Sequence, residues 1–181
     1  VLLILFSYIA HQKRKKEVVE IVSRGGIDLL IQQLKEKANE ETIEAPGKTN
    51  DPRAADALID FVNSKDIKDE DDSYFFTLGL NALGKIGNDR AIDFLVSTLG
   101  LNNDMFVRDY AACVLHNIAH EKGIKIFKAV KPLVTLLVDA KNSNYRLEWT
   151  EGALNAITGE KFGKNIDKWE KYIAENRDKL E

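Results

Sequence analysis

A few side chains in this 181-residue chain have types and spacing that could support chemistry. His116 and His120 stand four apart, on one face of any helix through them, with Glu121 beside the second. Two histidines at that spacing are part of the zinc motif H-E-x-x-H, whose glutamate serves as general base. Asn117 occupies the glutamate's place here, so no metal centre is expected. His11 and His120 each end an apolar run, Ile9-Ala10-His11 and Ile118-Ala119-His120, where a histidine favours the carbonyl end of a helix. Cys113 is the single cysteine. It excludes a disulfide framework within the chain and a cysteine-rich zinc site, and it reads as a small buried apolar residue in a reducing compartment. The acidic stretch 64–72 lacks the central glycine and closing glutamate of a calcium loop. It reads as a solvated connector whose carboxylates lie near the start of a helix beginning around Ser73. Gly84-Lys85-Ile86-Gly87 is a helix end rather than a phosphate loop, and there is no G-x-S-x-G nucleophile. No catalytic residue, metal or cofactor is therefore expected.

The composition points to what positions these residues. With 44% hydrophobic and 30% charged residues, the chain can fold around a core. Three prolines and a lack of alternating β-branched runs indicate helices. The net charge of -3 gives no general pull toward nucleic acid. Lys13-Arg14-Lys15-Lys16, the one dense basic run, reads as a solvated turn rather than a lipid or nucleic-acid contact. Residues 1–10 are apolar and allow two readings, a core helix or the end of a membrane span with the basic run as its flank. A membrane is thus expected only through residues 1–16. The chain opens on Val1 rather than methionine, which reads as a truncated N-terminus.

Residues 77–99 read as one helical hairpin. Leu80, Leu83 and Ile86 form the stripe of its first helix, Gly87-Asn88 breaks it, and Asp89 is the expected cap of the second. Ile92, Leu95, Val96 and Leu99 form the second stripe. Neither helix can bury its stripe alone, and the rest of the chain repeats the unit. A Leu/Phe-x-x-Ile-small pattern recurs at residues 6–10, 83–87, 115–119 and 154–158. The partner-helix pattern Ala55-Asp56-Ala57-Leu58-Ile59 recurs at Leu95, Leu133 and Trp169, at spacings of 37, 38 and 36 residues. Such a period belongs to stacked two- or three-helix repeats. The first interval, Leu30 to Leu58, is only 28 residues. A proline inside the pattern at Pro132 predicts a kink or break near Lys131 in a helix over 123–140.

These motifs resemble two related families. Asp104-Met105-Phe106-Val107-Arg108-Asp109-Tyr110-Ala111-Ala112 is similar to the first-helix signature of HEAT repeats, D-x-x-V-R-x-x-A-A. Residues 21–30, with the Gly25-Gly26 pair, resemble the junction between the second and third helices of an armadillo repeat. The resemblance implies an all-α fold, an ARM/HEAT-type α-solenoid in which helical hairpins stack as a right-handed superhelix. It implies one domain over 1–181. Its parts are an armadillo-like partial repeat (1–36), an irregular linker (37–52) and HEAT-like repeats at 53–100, 101–140 and 141–181, the last a C-terminal cap. Arg53 to Asn63 fits either the second helix of an aberrant repeat or an extra first helix of the next. The resemblance also gives Arg108 a structural role, bonded to Asp104 or Asp89.

Function follows as an expectation from fold-level analogy. The first reading is a non-enzymatic, cytoplasmic module that binds a protein or peptide on its concave helical face. Its candidate residues are Gln32, Gln33, Asp56, Asp60, Asn63, Asp93, Phe94, Ser97 and Thr98, with Phe94 as an anchor. Asp28, Asp56, Asp93 and Asp167 share one helix-start position, where a carboxylate either favours the N-terminal turn or meets a ligand. The alternatives are a HEAT-like lyase or enzyme accessory, and a membrane-anchored adaptor. The His-Glu pairs of HEAT-type di-iron hydroxylases recur several times; this chain has one, His120-Glu121, at a helix end, so that chemistry is rejected.

Overall fold

The computed structural model describes Lys13 and residues 26–49, 51–100, 104–140 and 147–180. The apolar run 1–10, His11, basic residues 14–16 and the 21–25 part of the armadillo-like junction lie outside the described residues. Among the described residues the regular structure is helical, with no strand. The helices are α1 (Ile27–Glu36), α2 (Glu40–Glu44), α3 (Arg53–Asn63), α4 (Glu70–Ile86), α5 (Asp89–Leu99), α6 (Met105–Lys122), α7 (Val130–Asp139), α8 (Glu148–Thr158), α9 (Ile166–Glu175) and α10 (Arg177–Leu180). None is long and apolar enough to cross a membrane. The chain forms two compact units, Val1–Ala91 and Ile92–Glu181, with the boundary inside α5.

In the first unit each helix buries one face. Leu30 and Leu34 of α1, Leu58 and Val62 of α3, and Leu80 and Leu83 of α4 are all but inaccessible. Burying a side chain of this size contributes about 1.5–3 kcal/mol. The stripes meet because α1 packs on α3, α2 on α4, and α3 on α4. The last approach is very close. A Cβ placed on Gly79 of α4 would come within 2.4 Å of a Val62 methyl. Gly87 ends α4 at φ 59°, a left-handed conformation that glycine adopts without steric cost.

Three expectations change in this unit. The stretch 37–52, expected to be an irregular linker, holds α2 and a 3-10 turn at Pro46–Lys48, with Ile43, Ala45 and Pro46 buried. Its helix is nucleated by a capping box: Asn39 Oδ1 accepts from the Thr42 amide, and Thr42 Oγ1 from the Asn39 amide. The α4 helix begins at Glu70 rather than Ser73, because Asp69 caps it by accepting from the Asp72 amide at 3.0 Å. Asp89 is the first residue of α5 and not its cap; Asn88 Oδ1 takes the Ala91 amide at 2.9 Å.

In the second unit α6 packs on α8, and α7 on both α8 and α9. Val107, Ala111, Val114, Leu115 and Ile118 of α6 are buried, as are Ala153, Leu154 and Ile157 of α8. Gly123 and Gly159 end these two helices. The expected helix over 123–140 is shorter: a 3-10 turn at Phe127–Ala129 precedes α7. Pro132 therefore falls in the first turn of α7, where the missing N–H has no intrahelical partner to lose; the break expected near Lys131 is the start of α7 at Val130, and no kink is needed. In α9, Trp169 is fully buried; its Nε1–H donates to the Gly163 carbonyl at 2.9 Å, with Phe162 edge-on at 4.8 Å. Lys168, Glu170, Lys171 and Glu175 stay exposed on its other face.

The close approach of α3 and α4 yields a test. Gly79→Ala is expected to lose about 1–2 kcal/mol in urea unfolding, since overpacking outweighs the helix propensity that alanine adds. Combined with Val62→Ala, the loss is expected to fall short of the sum of the two single losses. Additive losses would show that the contact is not tight.

Candidate binding face

Asp28, Asp56 and Asp93, expected at one helix-start position, are the second, fourth and fifth residues of α1, α3 and α5, and the structure shows what they bond. Asp28 of α1 accepts from Arg53 at 2.6 Å, and Asp56 of α3 from Arg90 at 2.8 Å. In the second unit Asp93 of α5 pairs with Lys128. Each acid thus meets a base at or just before the start of a helix further along the chain. Asp167 has no such contact described. The three pairs are exposed, so each contributes little to stability. The same type of contact recurs in three helices. It also occupies Asp56 and Asp93, two of the expected ligand contacts.

The other expected face residues separate. Gln32, Asp60, Asn63 and Ser97 are exposed, while Gln33 and Phe94 are half-buried. Gln32 Nε2 donates to Glu36 at 2.8 Å. Thr98 departs from expectation, being completely buried. It lies one step around the helix from Ser97, within the stripe of Ile92, Leu95 and Leu99. Its hydroxyl donates to the Phe94 carbonyl at 2.9 Å, so burial leaves no polar group unpaired.

Beside Asp60 the first unit opens into a half-open cavity of about 570 Å³. Its apolar surface comes from Ile31 and Leu34 of α1, Ala57 and Phe61 of α3, and Phe75 of α4. Lys65 also borders it, donating to Asp72 at 3.0 Å with its ammonium 4.9 Å from the centre of the Phe61 ring. That hydrogen bond, with one from the Asp66 amide, holds the Asp72 carboxyl below its ordinary range. The acidic connector is thus tied down at Asp72 rather than wholly solvated.

The second unit carries its own polar contacts. Arg108 is buried, but its partner is neither Asp104 nor Asp89. Its Nη2 donates to Asp139 at 2.6 Å and its Nε to the Leu99 carbonyl at 2.7 Å. Asp104 instead accepts from the Phe106 amide at 2.8 Å and starts α6. One residue on, buried Asp109 accepts from Thr150 of α8 at 3.0 Å. Burial pushes the Asp109 carboxyl above its ordinary range, against the lowering effect of that bond. Nothing in the local pattern announces this pair, since its members lie 41 residues apart. Cys113 is half-buried rather than buried; desolvation and Asp109 push its thiol up, away from the reactive thiolate. His116 stacks on His120 at 5.6 Å and approaches Trp149 at 5.9 Å. Its buried Nδ1 has no hydrogen-bond partner among the described residues. Among the described residues, no three metal-ligating side chains come together.

Two outcomes follow. Arg108→Ala should lose about 2–4 kcal/mol in chemical denaturation, because it strands the Leu99 carbonyl and removes a buried charge from its partner. Asp139→Ala leaves the buried Arg108 guanidinium without its counter-charge and is expected to lose a comparable amount; a loss near zero would show that the ion pair does not matter. Asp109 has a raised folded-state pKa, so its stabilising effect is complete below the unfolded value near 3.8 and is lost as pH rises through the folded value. Asp109→Asn keeps the acceptor for Thr150 without the charge. It is expected to melt above the unsubstituted protein at pH 7, with the gap closing as pH falls toward 4. A gap independent of pH would contradict the assignment.

A scan against protein-family models matches no family, and a search of curated proteins finds no matching sequence.

Proposed function

We propose that the chain is a non-enzymatic interaction module of ARM/HEAT type, a right-handed α-solenoid that binds a protein or peptide segment along its concave face. The observation that carries this reading is the cavity of the first unit, lined in part by apolar side chains and bordered by Asp60, with exposed Asn63 three residues further along α3. An apolar recess beside exposed polar groups is what a binding surface offers a partner. Two features support the repeat architecture. Helices pack on their next-but-one neighbours within each unit, α1 on α3 and α2 on α4, then α6 on α8 and α7 on α9. The Asp–Arg or Asp–Lys contact recurs in three helices. The reading places the module in the cytoplasm, where a lone thiol such as Cys113 stays reduced.

The test is affinity capture from native lysate with the intact protein beside an Asp60→Arg, Asn63→Arg variant. Both positions are exposed, so the variant should keep its helical circular dichroism and melting temperature. A protein retained by the first bait and lost with the second is the expected result. Identical captures with the two baits, or no specific protein with either, would overturn the reading.

A further inference from the structure

Asn117, standing where a hydrolytic zinc site has its glutamate, removes the general base of that chemistry. It leaves in place the two imidazoles that hold an ion, and the structure shows how α6 sets them. The His116 and His120 rings have centres 5.6 Å apart and planes inclined by 26°. An imidazole nitrogen bonds a zinc-like ion at about 2.0–2.1 Å, which puts the ion about 3.2 Å from the ring centre. Two rings on one tetrahedral ion then have centres about 5.2 Å apart, and the observed 5.6 Å is within about half an ångström of that spacing.

His116 is also held in place. Trp149 of α8 lies 5.9 Å away, and a Cβ at Gly152 of α8 would come within 3.3 Å of Nδ1. Nδ1 is thereby buried, which makes Nε2 the nitrogen that faces a ligand. His120 is exposed in the last turn of α6, where an ion can reach it from solvent. Among the described residues neither imidazole makes a hydrogen bond or ion pair that binding would have to break.

We propose that His116 and His120 form a two-nitrogen chelate for one divalent transition-metal ion, with water in the remaining positions. Imidazole nitrogens suit Cu²⁺, Ni²⁺ and Zn²⁺ rather than the oxygen-seeking Ca²⁺ and Mg²⁺, and Cu²⁺ binds most tightly of the three. No three metal-ligating side chains come together among the described residues, so the site is an open, exchanging one rather than a structural one. The inference is independent of the interaction reading above.

The experiment titrates the whole chain with CuCl₂, followed by calorimetry and by electron paramagnetic resonance. The unsubstituted chain is expected to bind one Cu²⁺ through two nitrogen ligands, roughly ten-fold tighter than His120→Ala, which keeps a single imidazole of the pair. His120 is exposed, so the variant should keep its helical circular dichroism. A His120→Gln, Glu121→His variant has as many histidines but moves one off the shared face. It is expected to bind no better than His120→Ala. His11→Ala should leave the affinity unchanged, and MgCl₂ should give no binding heat. Equal affinity in the unsubstituted chain and His120→Ala would overturn the proposal. So would full affinity in the respaced variant, which would make the binding a matter of histidine count. A loss on His11→Ala equal to that on His120→Ala would overturn it as well, by making the binding independent of the helical pair.

Discussion

The longer described helices each carry an apolar face, and no helix can bury that face against itself. The rest of the structure depends on this constraint. An isolated helix of ten or eleven residues, the length of α1, α3 or α7, is marginal in water. It persists here because its stripe is removed from water by a neighbour one or two elements away. The closeness of that contact then selects side chains. Gly79 lets α4 reach Val62, and a larger residue there would hold the two leucine stripes apart.

Several polar groups that enter this interior are paired, although the buried His116 Nδ1 is not. Arg108 carries its charge to the Leu99 carbonyl and to Asp139, tying the end of α5 to that of α7. Asp109 reaches Thr150, tying α6 to α8. In surroundings of low polarity such bonds are costly to break, and they distinguish one packing arrangement from others of similar apolar area. Trp169 follows the same rule, spending its one N–H on the Gly163 carbonyl while its rings pack against Phe162. The aspartate contacts at the helix starts are different. They lie in water and contribute little individually.

What remains for function is the part of the surface these demands leave free. Asp56 and Asp93 are taken by their bases, and Thr98 by the core. Gln32, Asp60 and Asn63 remain exposed, and Asp60 borders the recess between α1 and α3. The chemically suggestive side chains of the second unit are held differently. Cys113 has a thiol pushed away from ionisation, and His116 stacks on His120 with Trp149 tilted against it.

The sequence by itself determined most of the longer helices. Stripe periodicity and the Gly87 stop depend on neighbours within one or two turns, so they are legible locally. The all-helical character follows from the same signals. Where two local signals competed, the reading slipped by a few residues: Asp69 against Ser73 at the start of α4, Asn88 against Asp89 at the start of α5. Tertiary structure decided everything that rests on residues far apart in the chain. Arg108 bonds Asp139, 31 positions away, because packing brings the end of α7 beside it; a nearby aspartate such as Asp104 looks equivalent on paper. The stretch 37–52 looks polar, yet Ile43 is buried because α4 offers it a surface. The cavity beside Asp60 is the clearest case. It is space left between α1, α3 and α4, and its volume depends on how closely they pack rather than on the pattern within any of them.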